Sequence, residues 1–133
     1  MTRFVVDCGV VLKLASEDFE LPAEHELLAP TLLRSQTLSA LHRAVHSGEL
    51  EADVARERMR RVNALPIRLL GDAVLRRNAW EIADRLGWAD TYGAEYLALT
   101  KLQADAFVTL DAELARAADG IVPTATIEQL RTG

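Results

Sequence analysis

The chain has 133 residues, half of them hydrophobic and 26% charged, which suits one domain with a core of its own. No run of about 18 uncharged apolar residues occurs, so no segment reads as a membrane-spanning helix. The net charge of −5 excludes bulk attraction to nucleic acid, and any such role must rest on a local patch.

The N-terminal F-V-V-D-C-G-V-V-L-K is apolar but broken by Asp7 and Lys13, and it reads as a strand rather than a secretory signal. Residues 3–7 form that short buried strand, and a helix begins at Val10 and runs to Ala15. Residues 17–26 are acidic and polar around Pro22, a loop. Pro30 precedes a long helix over about 31–47 that Gly48 ends, and a second helix covers about 51–64. Pro66 opens the strand I67-R-L-L. Asp72 caps a helix that runs to Leu86 and stops at Gly87. The next helix carries A89-D-T-Y-G-A-E-Y-L-A-L-T and ends near Leu102, with Tyr92, Tyr96 and Leu99 as one apolar stripe. A106-F-V-T-L is a strand, Asp111 starts a helix to about Ala118, and I121-V-P-T-A is a last short strand before a helical tail. No repeat, low-complexity segment or linker divides residues 1–133.

Short apolar strands alternating with helices predict an α/β fold with a short parallel sheet covered on both faces. In such folds sites form beyond the carboxyl ends of the strands. Asp7 closes the first strand and Asp111 the strand A-F-V-T-L, so the two carboxylates can meet although 104 positions separate them. Paired carboxylates at a sheet edge suit a hard divalent cation such as Mg²⁺, which can activate water against a phosphodiester. The competing role of Asp111 is a helix cap. Gln36 shares the inward face of its helix with Leu33 and Ala40, so its amide needs partners or faces a cleft. His42 and His46 stand i, i+4 but lack the rest of a zinc motif and read as solvent-facing. The single cysteine, Cys8, cannot close an internal disulfide and reads as a small core residue, in keeping with a reducing cytoplasm. Thirteen of the fifteen basic residues are arginine, a choice that suits phosphate contacts but equally follows from a GC-rich genome.

The segments V5-V-D-C-G-V-V-L-K, L32-L-R-S-Q-T-L-S-A-L, T91-Y-G-A-E-Y-L-A-L-T and A106-F-V-T-L-D-A-E-L-A-R-A-A resemble the PIN domain, most closely the VapC-type toxins of toxin–antitoxin pairs. The resemblance spans essentially the whole chain. It implies a PIN-like parallel sheet flanked by helices and a Mg²⁺- or Mn²⁺-dependent endoribonuclease blocked by a VapB-type antitoxin. It also implies a homodimer in the cytoplasm, away from any membrane. Of the family's four acids, the first matches Asp7 and the last Asp111, within a T-x-D pattern that includes Thr109. The second, usually a glutamate, is Gln36 here. The third, usually the aspartate of Y-D-A, is Gly93, and Gly9 replaces a small hydroxyl residue two positions after Asp7.

Two acids fewer imply weaker metal binding. Asp90, three residues before Gly93, shares a face with it if the helix begins at or before Asp90, and it then either reaches the cleft or caps the helix. Asp7 and Asp111 are thus the expected metal ligands, with Gln36, Thr109 and Asp90 completing the expected catalytic set. Arg34 and Arg43 are candidates for binding RNA phosphates. Two functions follow: a weakened endoribonuclease, or a PIN-like binding module that holds antitoxin or RNA without cutting. Val54, Met59 and Val62, flanked by arginines, offer a surface for an antitoxin helix.

Overall fold

Three strands of the protein bury consecutive residues: Val5 and Val6, Leu27 to Ala29, and Ala106 to Val108. Successive side chains of a strand point to opposite faces, so these strands are covered on both sides. The structure, a computed structural model, describes residues 1–133. Its elements are β1 (Thr2–Val6), α1 (Cys8–Ala15), β2 (His25–Pro30), α2 (Leu32–His46), α3 (Ala52–Ala64), β3 (Ile67–Leu70), α4 (Ala73–Leu86), α5 (Tyr92–Gln103), β4 (Ala106–Val108), α6 (Ala112–Ala118), β5 (Thr124–Ala125) and α7 (Ile127–Arg131). The strands make one sheet in the order β3-β2-β1-β4-β5. Every pairing is parallel, with Val5 between Leu28 and Phe107. The α/β fold with a parallel sheet flanked by helices is therefore present. No helix is long and apolar enough to cross a membrane.

Chain order and sheet order diverge at one place. The chain steps from β1 outward to β2 and β3, then returns to lay β4 on the other side of β1. The crevice beyond the carboxyl ends of β1 and β4 is the topological switch point, where ligands of open α/β sheets bind. Helix α5 lies against β1, β2 and β4, and α4 packs along α5. Helices α1, α2 and α3 pack with one another. Phe107 is fully buried in the middle of the core, its ring tilted against Tyr96 with centroids 6.1 Å apart.

The elements differ from the sequence reading at a few points. Strand β2 replaces part of the expected loop over 17–26 and the stretch up to Pro30. Its His25 and Glu26 give it a polar start, while Leu27, Leu28 and Ala29 are buried inside the sheet, where α5 and α2 pack against the strand. Helix α1 begins at Cys8 rather than Val10, since Asp7 caps it by accepting from the Val10 amide. Helix α5 begins at Tyr92, and Tyr92 is 55% exposed, so it does not join Tyr96 and Leu99 in the buried stripe. Strand β4 stops at Val108 and β5 holds only Thr124 and Ala125, both shorter than read from sequence.

Removing the central ring should open a cavity that the flanking strands cannot close. Phe107→Ala is expected to cost about 3–5 kcal/mol of stability, read as a lower urea midpoint at unchanged slope.

Candidate functional site

Each strand that reaches the crevice ends in a polar residue because the next helix needs a cap. Asp7 has extended backbone and accepts from the Val10 amide at 3.1 Å through Oδ1, ending β1 and starting α1. Asp111 does the same for α6, its Oδ1 accepting from the amides of Glu113 at 2.9 Å and Leu114 at 3.2 Å. Thr109 joins the two. Its hydroxyl donates to Asp7 Oδ2 and accepts from the Asp111 amide at 3.1 Å. The structure thus brings Asp7, Thr109 and Asp111 together at the switch point.

Asp7 is 9% exposed, and burial pushes its carboxyl above the usual carboxylate range. The donors Thr109 and Val10 oppose that rise, and the charge of Asp111 adds to it. On the other side stands Tyr96, 2% exposed, whose hydroxyl donates to Gln36 Oε1 at 2.5 Å. Burial, with the charge of Asp7 next, pushes the Tyr96 phenol upward, so it remains a donor. Gln36 therefore faces the crevice half-buried, its carbonyl oxygen engaged by a neutral donor. Sequence reasoning missed Tyr96. The available signal was that a buried phenol needs a hydrogen-bond partner.

Asp90 stands apart from this group. It precedes α5, whose cap position is Thr91, and its carboxylate accepts from the Tyr92 amide at 3.4 Å. It is exposed and shares no helical face with Gly93, because the helix has not begun there. It lines a neighbouring cleft together with Gly93 and Asp111.

Gly93 has a local structural cause. Gly87 ends α4 at φ 71°, and the Trp88 amide donates back to the Ala83 carbonyl at 2.9 Å. This left-handed turn directs the chain so that the Trp88 indole rests over Gly93. A Cβ on residue 93 would lie 3.2 Å from Trp88 Cζ3 and 3.4 Å from Leu114 Cδ1. Trp88, which sequence reasoning did not weigh, thus covers the first turn of α5. At Gly9 a Cβ would lie 3.8 Å from Asp7 Oδ1, an ordinary contact. Thr109 supplies the hydroxyl to that carboxylate instead.

The remaining candidates separate. Burial and then the charge of Asp7 push the Cys8 thiol upward, and the charge of Arg43 opposes them in part; Arg43 itself is exposed on α2. Arg34 lines a different groove with Leu33, Leu38, Met59 and Val62. Val54 is not in that groove but beside Arg58 and Arg61, so Val54, Met59 and Val62 are not one continuous surface, and Val62 belongs to the core. His42 and His46 are exposed, and Cys8 is half-buried.

Mg²⁺ or Mn²⁺ would find two oxygen donors here, Asp7 and Asp111. No three His, Cys, Asp or Glu side chains lie close enough to hold a metal ion between them. Two carboxylates are enough for Mg²⁺ only where water and substrate phosphate complete its shell, so the donor set fits a weak site.

No family model matches the sequence, and no curated protein matches it. Among solved structures, the chain is similar to PAE2754 from Pyrobaculum aerophilum, with a TM-score of 0.74 over 97% of this chain and 92% of that one. Their sequences are 21% identical, so the likeness is one of fold.

Two predictions follow from this geometry. The native Asp7 carboxyl holds its proton more readily than the unfolded one, so its contribution to stability is present in acid and is lost as pH rises through the folded value. Asp7→Asn keeps a capping acceptor; it should raise the melting temperature at pH 7, by a margin that shrinks as pH falls toward the ordinary value of 3.8. Gly93→Asp must push against Trp88 and is expected to cost about 1–3 kcal/mol, part of which Trp88→Leu in the same chain should return, both measured by urea unfolding.

Proposed function

We propose that the protein is a VapC-like PIN-domain endoribonuclease of weakened activity, dependent on Mg²⁺ or Mn²⁺. The observation that carries the reading is the meeting of Asp7 and Asp111 through Thr109 at the switch point. In this reading Asp7 and Asp111 would hold the cation, which when bound supplies Lewis acidity toward the scissile phosphate and an activated water. Thr109 fixes the orientation of the Asp7 carboxylate and the position of the Asp111 backbone. Tyr96 keeps the Gln36 amide turned toward the crevice. Arg43, exposed on α2, offers a cation for an RNA phosphate. The protein works in the cytoplasm as a homodimer, and a VapB-type antitoxin holds it inactive.

The antitoxin's place is the groove of about 400 Å³ between α2, α3 and edge strand β3. Leu33, Leu38, Met59, Leu65, Ile67 and Leu69 give it an apolar floor with Arg34 at its rim, the lining that an amphipathic helix requires.

A second reading, a binding module that holds antitoxin or RNA without cutting, draws on two contacts. The Trp88 indole takes up the space beside residue 93, and the Tyr96 hydroxyl occupies the oxygen of a neutral Gln36. Neither position then offers a negative charge to a cation, and the one neutral oxygen among them is already engaged.

The two readings divide on one assay. Incubated with labelled RNA and Mn²⁺, the protein is expected to cleave, and chelation or Asp7→Asn should reduce cleavage to the level of buffer alone. Retarded migration of intact RNA, equal for the protein and Asp7→Asn, would replace the nuclease with the binding module.

A further inference from the structure

A cleft of about 780 Å³ opens beside the Asp7–Thr109 pair, between the start of α5 and α6. Its walls include Trp88, Asp90, Gly93, Asp111, Glu113 and Arg116. This size suits a nucleoside-sized ligand. Asp111 belongs to both places, since its amide is tied to Thr109 while the residue lines the cleft.

The lining selects the chemistry of an occupant. An indole wall stacks planar aromatic rings, and base-on-aromatic stacking is a general means of holding an unpaired nucleotide. Three carboxylates in the lining favour a ring that presents N–H donors, and Arg116 is the one guanidinium beside them that can face a phosphate. Glu113 and Arg116 are both exposed on α6, and neither is engaged in an ion pair. The Glu113 carboxylate accepts no hydrogen bond within the chain, whereas Asp90 and Asp111 each have an oxygen committed to backbone amides. A free carboxylate accepts two parallel N–H bonds best. Guanine is the common RNA base with two adjacent donors on its Watson–Crick edge. In adenine and cytosine a ring acceptor sits beside the amine, and in uracil carbonyls flank the single N–H.

We propose that this cleft is a nucleobase subsite that takes a guanine, its ring stacked on Trp88 and its N1–H and exocyclic amine donating to Glu113. Arg116 then meets the adjacent phosphate. Glycine at 93 is part of the subsite, because a Cβ there would lie 3.2 Å from the indole and press on the wall it forms. The role of the subsite in choosing an RNA sequence rests on the nuclease reading; binding of the base does not.

The chain has two tryptophans, and Trp80, 66% exposed, is not among the residues lining the cleft. In a Trp80→Phe protein the indole fluorescence comes from Trp88 alone. Titration in metal-free buffer with GMP, AMP, CMP, UMP and ribose 5-phosphate should give saturable quenching by GMP, with a preference of about tenfold or more over the others. Glu113→Gln, with its circular dichroism unchanged, should erase that preference. No saturable quenching, equal quenching by all four nucleotides and ribose 5-phosphate, or a preference untouched by Glu113→Gln would each overturn the subsite. RNA cleavage by the same protein is scored separately. Quenching without cleavage upholds the subsite and removes the nuclease reading, whereas cleavage without quenching removes the subsite alone.

Discussion

The hydrogen bond from the Thr109 hydroxyl to the Asp7 carboxylate joins the two strands between which the chain changes direction. A carboxylate only 9% exposed survives in a fold only where donors replace the water it has lost. Val10 supplies one donor by virtue of the helix that Asp7 caps, and Thr109 supplies the other from the loop after the neighbouring strand β4. The same hydroxyl accepts from the Asp111 amide and so sets the start of α6. One local need, satisfying a buried acid, therefore organises the loops after both β1 and β4. It also assembles the polar edge of the sheet as a by-product.

Two positions near that edge, 36 and 93, carry no charge, and each has a structural counterpart. Where residue 36 is an amide, it forms a neutral pair with the Tyr96 phenol across α2 and α5. Where residue 93 lacks a side chain, the Trp88 indole packs over it. The indole lines the neighbouring cleft together with Gly93 and Asp111.

Short-range features were legible in the sequence. Asp72 caps α4 through the Leu75 amide, Gly87 ends it in a left-handed turn, and Ile67–Leu70 forms a strand. Caps, stops and short apolar runs depend on neighbours within a turn or two, which a linear reading contains. The approach of Asp7 and Asp111 was also legible, because strands of a parallel sheet deliver their carboxyl ends to one edge.

Strand β2 was not legible, since its polar start hides it and its burial comes from its place inside the sheet under α5 and α2. Nor could linear spacing reveal that Asp90 lies ahead of its helix, that Tyr92 faces solvent while Tyr96 faces Gln36, or that Trp88 rests on Gly93. Each of these depends on where a helix starts or on a side chain brought over from another element. Periodicity tells which face of an element is apolar and cannot say what stands opposite. That was decided by the order of the strands and the packing of the helices upon them.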